Sequence, residues 1–492
     1  MSHFRVRGWW KWAAAVVSLI VALGMSAARG ASNGTETYDL VIAKGRVMDP
    51  ESGLDAIRNV GIAGGKIREI SIGTLKGKQR IDAKGLVVAP GFIDLHQHGQ
   101  DAENYAAKAA DGVTTALELE VGAADVDGWY GEREGKTLIN YGASAGHISV
   151  RMAVMHDPGG LLPSGDAAHR AATTAEREEI SALLEKGLKR GALSVGLGPA
   201  YTEAATNQEI LDVFRVAAKY HASCHVHIRG SGPPIEGNFS GFEEVTAAAA
   251  ITGAPLHIVH IQSTGGPNVT KELQMIAEAR SRGMDVTTES YAYTMGMTSI
   301  QAAMFDHKEE EPATYYASLL WPATGEHLTK ESFLRYRKEG GMVIVPGNTP
   351  ENVHEAVVSP LTMIASDGYL SKGQGHPRTA GTSYALVLGR YVREEKTLDL
   401  MTALKKMTLM PAQRLEKRAP MFRDKGRIRV GADADITVFD AIRVIDKSTH
   451  EKPLQYSEGI QFVLVNGVPV VKDGHLVEGV FPDRAARAPV SQ

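Results

Sequence analysis

Two histidines end the short apolar stretch GFIDLHQH, which covers residues 91–98. His96 and His98 are separated by one residue, so on an extended strand their side chains lie on the same face. Two imidazoles that converge at the end of a strand can bind one metal ion, although histidines with this spacing also occur in loops without metal. The chemistry of the pair therefore depends on what the rest of the chain brings to it.

Other apolar stretches also end in residues of the kinds that bind divalent metal ions. These residues are Glu118, Glu120, His227, His260 and Asp367. With the histidine pair they supply imidazole nitrogens and carboxylate oxygens, a donor set suited to zinc or a similar divalent ion. A site of this kind requires elements that bring the ends of distant stretches to one place.

Eight short apolar stretches alternate with amphipathic helical segments between residues 91 and 425. They are GFIDLH, VTTALELE, INYGASAGH (or the overlapping ISVRMAV), ALSVGLG, SCHVHI, LHIVHI, MDVTTESY and LTMIASD. Eight strand–helix units predict a (β/α)8 TIM-like barrel of the α/β class. A doubly wound sheet is the competitor, and the lack of a G-x-G-x-x-G loop after a first strand weakens it. The carboxyl ends of barrel strands meet at one face, so the candidate ligands are expected to lie together.

Short β-like runs separated by turns occupy residues 36–90 and return at residues 426–480. We interpret them as two halves of one small β-sandwich domain, built from both chain ends around the barrel at residues 91–425. The longest connection, about residues 295–359, lies between the seventh and eighth strands and is predicted to form a lid.

Residues 1–28 have the layout of a secretory signal peptide, because basic residues precede an apolar run and a stretch of small residues. The protein is expected to be periplasmic or secreted, without stable membrane insertion after signal removal; an uncleaved N-terminal anchor is the alternative. The single cysteine, Cys224, is expected to be buried and allows no internal disulfide. A net charge of −4 gives no reason to expect nucleic acid, and oligomer formation is left open.

Several candidate ligands have alternative interpretations. His225 shares a face with His227 but lies deeper in its strand, so we expect it to be packed or to support a ligand. His257 and His260 are three residues apart, so only one is expected to point into the barrel, and His260 is nearer the strand end. Asp367 could instead cap a helix.

A bound metal ion would explain why two glutamates lie together at the end of the second strand. Glu118 and Glu120 share a face, and two charged carboxylates inside a barrel are costly to bury without a cation. Glu120 is closer to the rim, so we favour it as the ligand and assign Glu118 a supporting position behind the metal.

The motifs GFIDLHQH, GVTT, HIVHIQSTG, IASDG and GRIRVGADADITVFD resemble the amidohydrolase superfamily. The stretches GALSVGLGPAY, HVHIRG, DVTTESYAYTMG, HPRTAGTSYALVLGRYVRE and MTLMPAQRL resemble its N-acyl-D-amino-acid deacylase, or D-aminoacylase, branch. The resemblance covers nearly the whole chain from residue 38 onward. It implies a metal-dependent hydrolase that acts on carbon–nitrogen bonds other than ordinary peptide bonds, with a small-molecule N-acyl (D-)amino acid as substrate.

The resemblance also implies roles for individual residues. One or two divalent ions, with Zn²⁺ as first choice, are bound by His96, His98, His227 and His260. Asp367 binds metal and accepts the proton of the attacking water. A metal-bound hydroxide then attacks the amide carbonyl, because zinc lowers the pKa of bound water to about 7.

The chain departs from the branch at the metal and at the substrate. The branch usually has a cysteine ligand in the second strand, whereas here the resemblance implies that a glutamate, either Glu118 or Glu120, is the bridging group. Of the residues that hold the substrate carboxylate in the branch, Arg378 and Tyr291 are matched, whereas Gln262 replaces a lysine and Met297 occupies the serine region.

Because of these departures, a second function is the alternative, namely that of a cyclic amide (hydantoin-like) hydrolase or a dipeptidase with the same metal site. His147, in a Gly-His pair similar to one in the branch, is assigned a substrate-binding or supporting role. A non-catalytic barrel predicts lost ligands or a lost Asp367, and none is lost.

Overall fold

The computed structural model describes residues 37–230, 239–376, 383–450 and 452–491. The predicted signal segment and Arg378 lie outside these described residues. Within them, no helix is both long enough and apolar enough to cross a membrane.

Eight parallel strands form the centre of the structure, and their spatial order follows their order in the chain. They are Phe92–Asp94, Val113–Ala123, Asn140–Gly146, Val195–Leu197, Cys224–Val226, Leu256–Ile258, Val286–Ser290 and Thr362–Ile364. Each arises from one of the eight predicted stretches, so the TIM-like barrel is confirmed. The third strand ends at Gly146, and the overlapping choice ISVRMAV was wrong because residues 147–154 form a helix.

The first and eighth strands meet just beyond their ends, where hydrogen bonds nearly close the barrel. The backbone N–H of Ser366 donates to Asp94 Oδ1 at 3.1 Å, and that of His98 donates to the Gly368 carbonyl at 2.8 Å. This closure places the residues that follow the first strand beside those that follow the eighth.

Helices cover the outside of the barrel and fill the connections. The α-helices are Ala102–Ala110, Val126–Gly131, His147–Val154, Asp166–His169, Thr174–Lys189, Asn207–Lys219, Ser240–Thr252, Ile261–Gly265, Val269–Ser281, Ala313–Ser318, Lys330–Glu339, Pro350–Val358, Ser383–Leu386, Leu400–Met407 and Leu409–Leu415. A π-helical stretch covers Val387–Glu394, and 3-10 turns cover Gly266–Asn268, Ala303–Phe305 and Pro420–Asp424.

The local sequence explains where such a helix begins and which face it buries. Before Thr174–Lys189, the Thr173 side chain accepts the N–H of Glu176, and the Glu176 side chain accepts the N–H of Thr173. This capping box satisfies N–H groups that the helix itself cannot pair. Ile180, Leu184 and Leu188 recur at helical spacing and are buried against the barrel.

Strands from both chain ends form one nine-stranded sheet. They are Thr37–Asp49, Leu54–Ala63, Lys66–Ser71, Lys76–Asp82, Val87–Pro90, Ile436–Phe439, Ile460–Val465, Val468–Lys472 and His475–Leu476. The two ends join where Val87–Pro90 pairs antiparallel with Ile436–Phe439. Apolar residues of both ends, such as Ile42, Val60 and Leu464, share one buried core. The structure therefore confirms that both chain ends contribute strands to one antiparallel-containing β sheet, whereas the division of the chain into separate domains stays a prediction.

The long connection between the seventh and eighth barrel strands carries its own four-stranded sheet, Met295–Ser299, Leu320–Trp321, Glu326–His327 and Met342–Pro346. It has its own core, which includes Phe305, Trp321 and Phe333. A second small cluster joins Met297, Leu320 and Ile344. The hairpin of Leu370–Ser371 and Gln374–Gly375 follows the eighth strand.

The last described residues run along the barrel and bury alanines in its interior packing. The Ala486 N–H donates to the Tyr141 carbonyl at 2.7 Å, and the Ala488 N–H donates to the Gly191 carbonyl at 2.9 Å. Both alanine side chains are buried among residues of the first, second and eighth strands, including Leu117. The C-terminal segment is thus part of the barrel core.

Ala486→Asp is expected to lower the free energy of unfolding by roughly 3–5 kcal/mol, because it leaves an uncompensated charge in an apolar environment. Urea denaturation at neutral pH measures the loss. Val490→Asp is the matched control, since Val490 is half exposed and should tolerate the charge. Equal stability of the two variants would contradict the role of the tail.

Candidate metal centre

The structure brings the six predicted metal-ligating side chains into one cluster at the carboxyl ends of the barrel strands. Their ligand atoms form two groups that share Glu120, and within each group all ligand atoms lie within 4.8 Å of one another. We call the group of His96, His98, Asp367 and Glu120 the first half of the centre. The group of His227, His260 and Glu120 is the second half.

In the first half, two imidazole nitrogens and two carboxylates face one point. His96 Nε2 lies 3.1 Å from His98 Nε2. Asp367 Oδ1 lies 3.5 Å from His96 Nε2 and 3.3 Å from His98 Nε2. Glu120 Oε2 completes the group at 2.5 Å from His96 Nε2. This arrangement offers four ligand atoms to a single cation.

In the second half, two histidines from neighbouring strands face the other oxygen of the same glutamate. His227 Nδ1 lies 2.9 Å from Glu120 Oε1, and His260 Nε2 lies 3.0 Å from His227 Nδ1. The two oxygens of Glu120 are therefore divided between the halves, so Glu120 would be shared by two metal ions if both halves were occupied.

Glu118 faces away from this bridge and supports His98 instead. Its Oε2 accepts the Nδ1–H of His98 at 2.8 Å, and its Oε1 accepts the backbone N–H of Val121 at 3.1 Å. Glu118 therefore orients His98 from behind, whereas Glu120 reaches both halves.

Glu289 is a residue of the centre that the sequence reasoning missed. It lies on the seventh strand and is buried; its Oε1 accepts the Nδ1–H of His96 at 2.6 Å. Its Oε2 lies 3.2 Å from His257 Nε2. The sequence offered one signal for Glu289, because it is an acidic residue inside an otherwise buried strand, two residues before Tyr291.

The expectation that only one of His257 and His260 points into the barrel was wrong. His257 contacts Glu289 inside the barrel, whereas His260 follows the strand end in a left-handed backbone conformation with φ 31°. The change of backbone conformation breaks the alternation of a strand, so both imidazoles reach the interior.

Asp367 also has a left-handed backbone, with φ 50°, directly after the eighth strand. This conformation is uncommon for a residue other than glycine, and such positions cluster at functional sites. A β hairpin rather than a helix follows it, so the helix-cap alternative for Asp367 was wrong.

The carboxylates of the first half favour positive charge on its histidines. Burial opposes a charged His96, but Asp367, Glu120 and Glu289 raise its pKa well above the usual range. For His98, burial is likewise outweighed by Glu118, Asp367 and Glu120, and the pKa is raised. The first half therefore stabilises positive charge of the kind that a divalent cation supplies.

The second half differs in its electrostatics. Burial and the neighbouring His227 lower the pKa of His260 to about 3. His260 is therefore a neutral imidazole, which is the form that binds metal.

The remaining predicted residues lie at different distances from the cluster. The Tyr291 ring is buried, edge-on to His260 with centroids 6.2 Å apart. Gln262, two residues after His260, is buried, and its amide makes no hydrogen bond within the described residues. Arg378 lies outside the described residues.

His225 and His147 lie behind the cluster or away from it. The His225 ring packs 4.5 Å from the ring of His257, and His225 Nε2 lies 3.1 Å from Ser223 Oγ. His147 Nε2 lies 2.8 Å from Glu209 Oε1, on the helix Asn207–Lys219. This contact places His147 in the packing between helices and not against a metal-ligating side chain.

The fold and the cluster together are typical of a barrel hydrolase with a metal-binding site at the carboxyl ends of its strands. The model of the amidohydrolase family matches residues 87–474. The chain belongs to the amidohydrolase family and is a hydrolase of carbon–nitrogen bonds.

The relatives of this chain include deacylases of N-acyl-D-amino acids. The chain is 31% identical over 480 residues to an N-acyl-D-glutamate deacylase of Alcaligenes xylosoxydans xylosoxydans, covering 88% of this chain and 94% of that one. The crystal structure of an N-acyl-D-glutamate deacylase from Bordetella bronchiseptica, complexed with zinc and a phosphonate inhibitor, matches with a TM-score of 0.77 and 27% identity. A D-aminoacylase crystal structure matches with the same TM-score and 25% identity. Each of these structures aligns with 92% of this chain and is itself covered completely.

Proposed function

We propose that this protein removes the acyl group from N-acyl amino acids, with the D configuration as first choice, at a centre of one or two zinc ions. The observation that carries the proposal is the division of the two Glu120 oxygens between two groups of histidines. The named deacylase activities of the relatives and the zinc in the related crystal structure support it.

The residues present fit such ions. Two imidazole nitrogens lie 3.1 Å apart in the first half, and two lie 3.0 Å apart in the second half. Imidazole and carboxylate are the ligands of hydrolytic zinc sites. When bound, a divalent ion there would lower the pKa of a water molecule and polarise an amide carbonyl.

Asp367 is the residue best placed to move the proton. Its side chain is 12% exposed, whereas that of Glu120 is 2% exposed, so Asp367 is the carboxylate of the first half that a substrate can reach. Asp367 accepts a proton from the attacking water and returns it to the nitrogen of the leaving amine. Glu118 and Glu289 hold the imidazoles of His98 and His96 in place during this exchange.

The long connection after the seventh strand supplies an apolar wall near Asp367. Met297, Leu320 and Ile344 form a buried cluster against which Tyr369 packs, and Tyr369 lies two residues after Asp367. Such a wall excludes water from the reacting groups and suits an apolar part of a substrate.

A cyclic or otherwise neutral amide is the second candidate substrate, and Gln262 favours it. The amide of Gln262 is buried and has no hydrogen-bond partner in the described part of the chain, so it offers one donor group and one acceptor but no charge. A neutral side chain at this position pairs with an amide of a substrate as readily as with a carboxylate.

The test of the proposed function is hydrolysis by the purified protein before and after removal of metal. The panel contains N-acetyl-D-amino acids, their L isomers, dipeptides and hydantoins. We expect turnover of N-acetyl-D-amino acids, a loss of at least about 100-fold after dialysis against a chelator, and recovery with zinc, because a metal ion supplies several kcal/mol of transition-state stabilisation. Turnover of hydantoins alone would favour the second candidate, and full activity of the metal-free protein would contradict metal dependence.

A further inference from the structure

Both neighbours of Asp367 in the chain are hydrogen-bonded to the segment at the end of the first barrel strand. Ser366 donates its backbone N–H to Asp94 Oδ1 at 3.1 Å and its hydroxyl to Asp94 Oδ2 at 2.5 Å. On the other side of Asp367, the Gly368 carbonyl accepts the N–H of His98 at 2.8 Å. The residue proposed to move the proton therefore lies between two points of attachment to the segment that carries the histidine pair.

Asp94 also holds the backbone of His96. Its Oδ1 accepts the N–H of His96 at 3.1 Å, so a single carboxylate oxygen binds N–H groups that follow the first and the eighth strands. The hydroxyl oxygen of Ser366 lies 3.1 Å from the His96 carbonyl oxygen as well. Asp94 and Ser366 together fix the backbone of His96 relative to that of Asp367.

Asp94 and Ser366 are fully buried, and the carboxylate of Asp94 has a buried cation beside it. Lys108, in the last turn of the helix Ala102–Ala110, places its Nζ 3.5 Å from Asp94 Oδ2. The partners of a buried carboxylate are costly to remove, because water cannot replace them. Asp94 is therefore a fixed anchor for the residues that it binds.

This attachment accounts for the backbone conformation of Asp367. Its φ of 50° is uncommon for a residue other than glycine, and such a conformation persists only where the surrounding structure holds it. Ser366 and Gly368 are the residues through which it is held. Loss of the Ser366 hydroxyl frees one side of the turn, and the Asp367 carboxylate is then no longer fixed at 3.3 Å from His98 Nε2.

We propose that Asp94 and Ser366 are positioning residues that aim the Asp367 carboxylate at the reacting groups. Their loss impairs proton transfer while metal and substrate stay bound, because a misplacement of about 1 Å in a catalytic group costs about 100-fold in rate. This inference rests on the proposed function, since it assumes that Asp367 moves a proton during hydrolysis.

The experiment is a double-mutant cycle of Ser366→Ala and Asp367→Asn in the full-length protein. For each variant, kcat, KM and bound zinc are measured with the best substrate of the panel. Ser366→Ala alone should lower kcat by about 100-fold and leave KM and bound zinc unchanged. In the Asp367→Asn background, the same change should lower kcat by less than about threefold, because the residue through which Ser366 acts is already lost.

Asp94→Asn provides a second, independent variant. It keeps the shape of the side chain, but its amide nitrogen replaces the oxygen that accepts the Ser366 hydroxyl, so kcat should again fall without a change in KM. Ser194→Ala is the matched control, because Ser194 is buried directly before the fourth strand and its hydroxyl has no hydrogen-bond partner within the described residues. It should leave kcat and KM unchanged, and thermal unfolding should show which variants are folded.

Three results would overturn the inference. The first is a kcat within about threefold of the original in folded Ser366→Ala and Asp94→Asn. The second is a loss in the double variant that equals the product of the two single losses, as expected of a general structural effect. The third is a loss of zinc that accompanies the loss of rate. All three leave the proposed function standing, whereas an unaltered protein that hydrolyses nothing in the panel would overturn the proposed function and the inference with it.

Discussion

Asp367→Asn is expected to lower kcat by about 1,000-fold while most of the metal stays bound. General acid–base catalysis contributes about 10²- to 10⁴-fold, and asparagine cannot accept and return the proton. Its amide oxygen still offers one ligand atom where Asp367 Oδ1 lies, 3.3 Å from His98 Nε2. Initial rates with the best N-acyl amino acid, together with metal content by mass spectrometry, measure both parts of this expectation.

Circular dichroism and thermal unfolding are the control measurements, because they show whether this variant is folded. A folded Asp367→Asn protein with its metal and a rate within tenfold of the original would show that another group moves the proton. Loss of both metal and rate would instead assign Asp367 mainly to metal binding. The strained backbone at this residue makes asparagine a suitable replacement, because asparagine tolerates the left-handed conformation.

Glu120→Gln has the second large expected effect, a fall in bound metal from about two equivalents to one or fewer. Among the described residues, Glu120 is the one candidate ligand that belongs to both halves, and a neutral amide can offer its single oxygen to one metal at most. Hydrolysis should fall by at least about 100-fold, because a centre that lacks one metal loses several kcal/mol of transition-state stabilisation.

Metal content by mass spectrometry, with rates measured at saturating zinc, tests this second expectation. Glu272→Gln is the matched control, because Glu272 is a buried glutamate on the helix Val269–Ser281 and belongs to neither half, so the variant should retain metal and activity. If Glu120→Gln kept two equivalents and its full rate, Glu120 would be excluded as the bridge. Glu118 would then become the candidate, since it is the other glutamate that the second strand delivers to this region.

The choice of a carboxylate as bridge has consequences for the electrostatics of the barrel. Four buried or nearly buried carboxylates, those of Glu118, Glu120, Glu289 and Asp367, lie around two neighbouring histidines. A bridging glutamate keeps two oxygens available, one for each half, whereas a single thiolate sulfur would have to be shared. Oxygen is also a harder ligand than sulfur and suits a wider set of divalent ions.

The eight barrel strands, and the residues at their carboxyl ends, could be predicted from local patterns in the sequence. Alternation along a strand is a local property, so His96 and His98, or Glu118 and Glu120, could be assigned to one face without any knowledge of the fold. Because parallel barrel strands all end at one face, the same local pattern predicted which distant residues would meet.

The contacts between these residues could not be predicted in the same way, because they depend on how the strands pack. The contact of Glu289 with His96 joins residues 193 positions apart, and it depends on the closure of the barrel and the depth at which each strand lies. Local backbone changes had a similar effect, since the left-handed turn at His260 cancelled the alternation that would have excluded His257. Periodicity reports the face of one element, whereas contacts between elements depend on how all of them pack, and for that reason the supporting carboxylates emerged from the structure and not from the sequence.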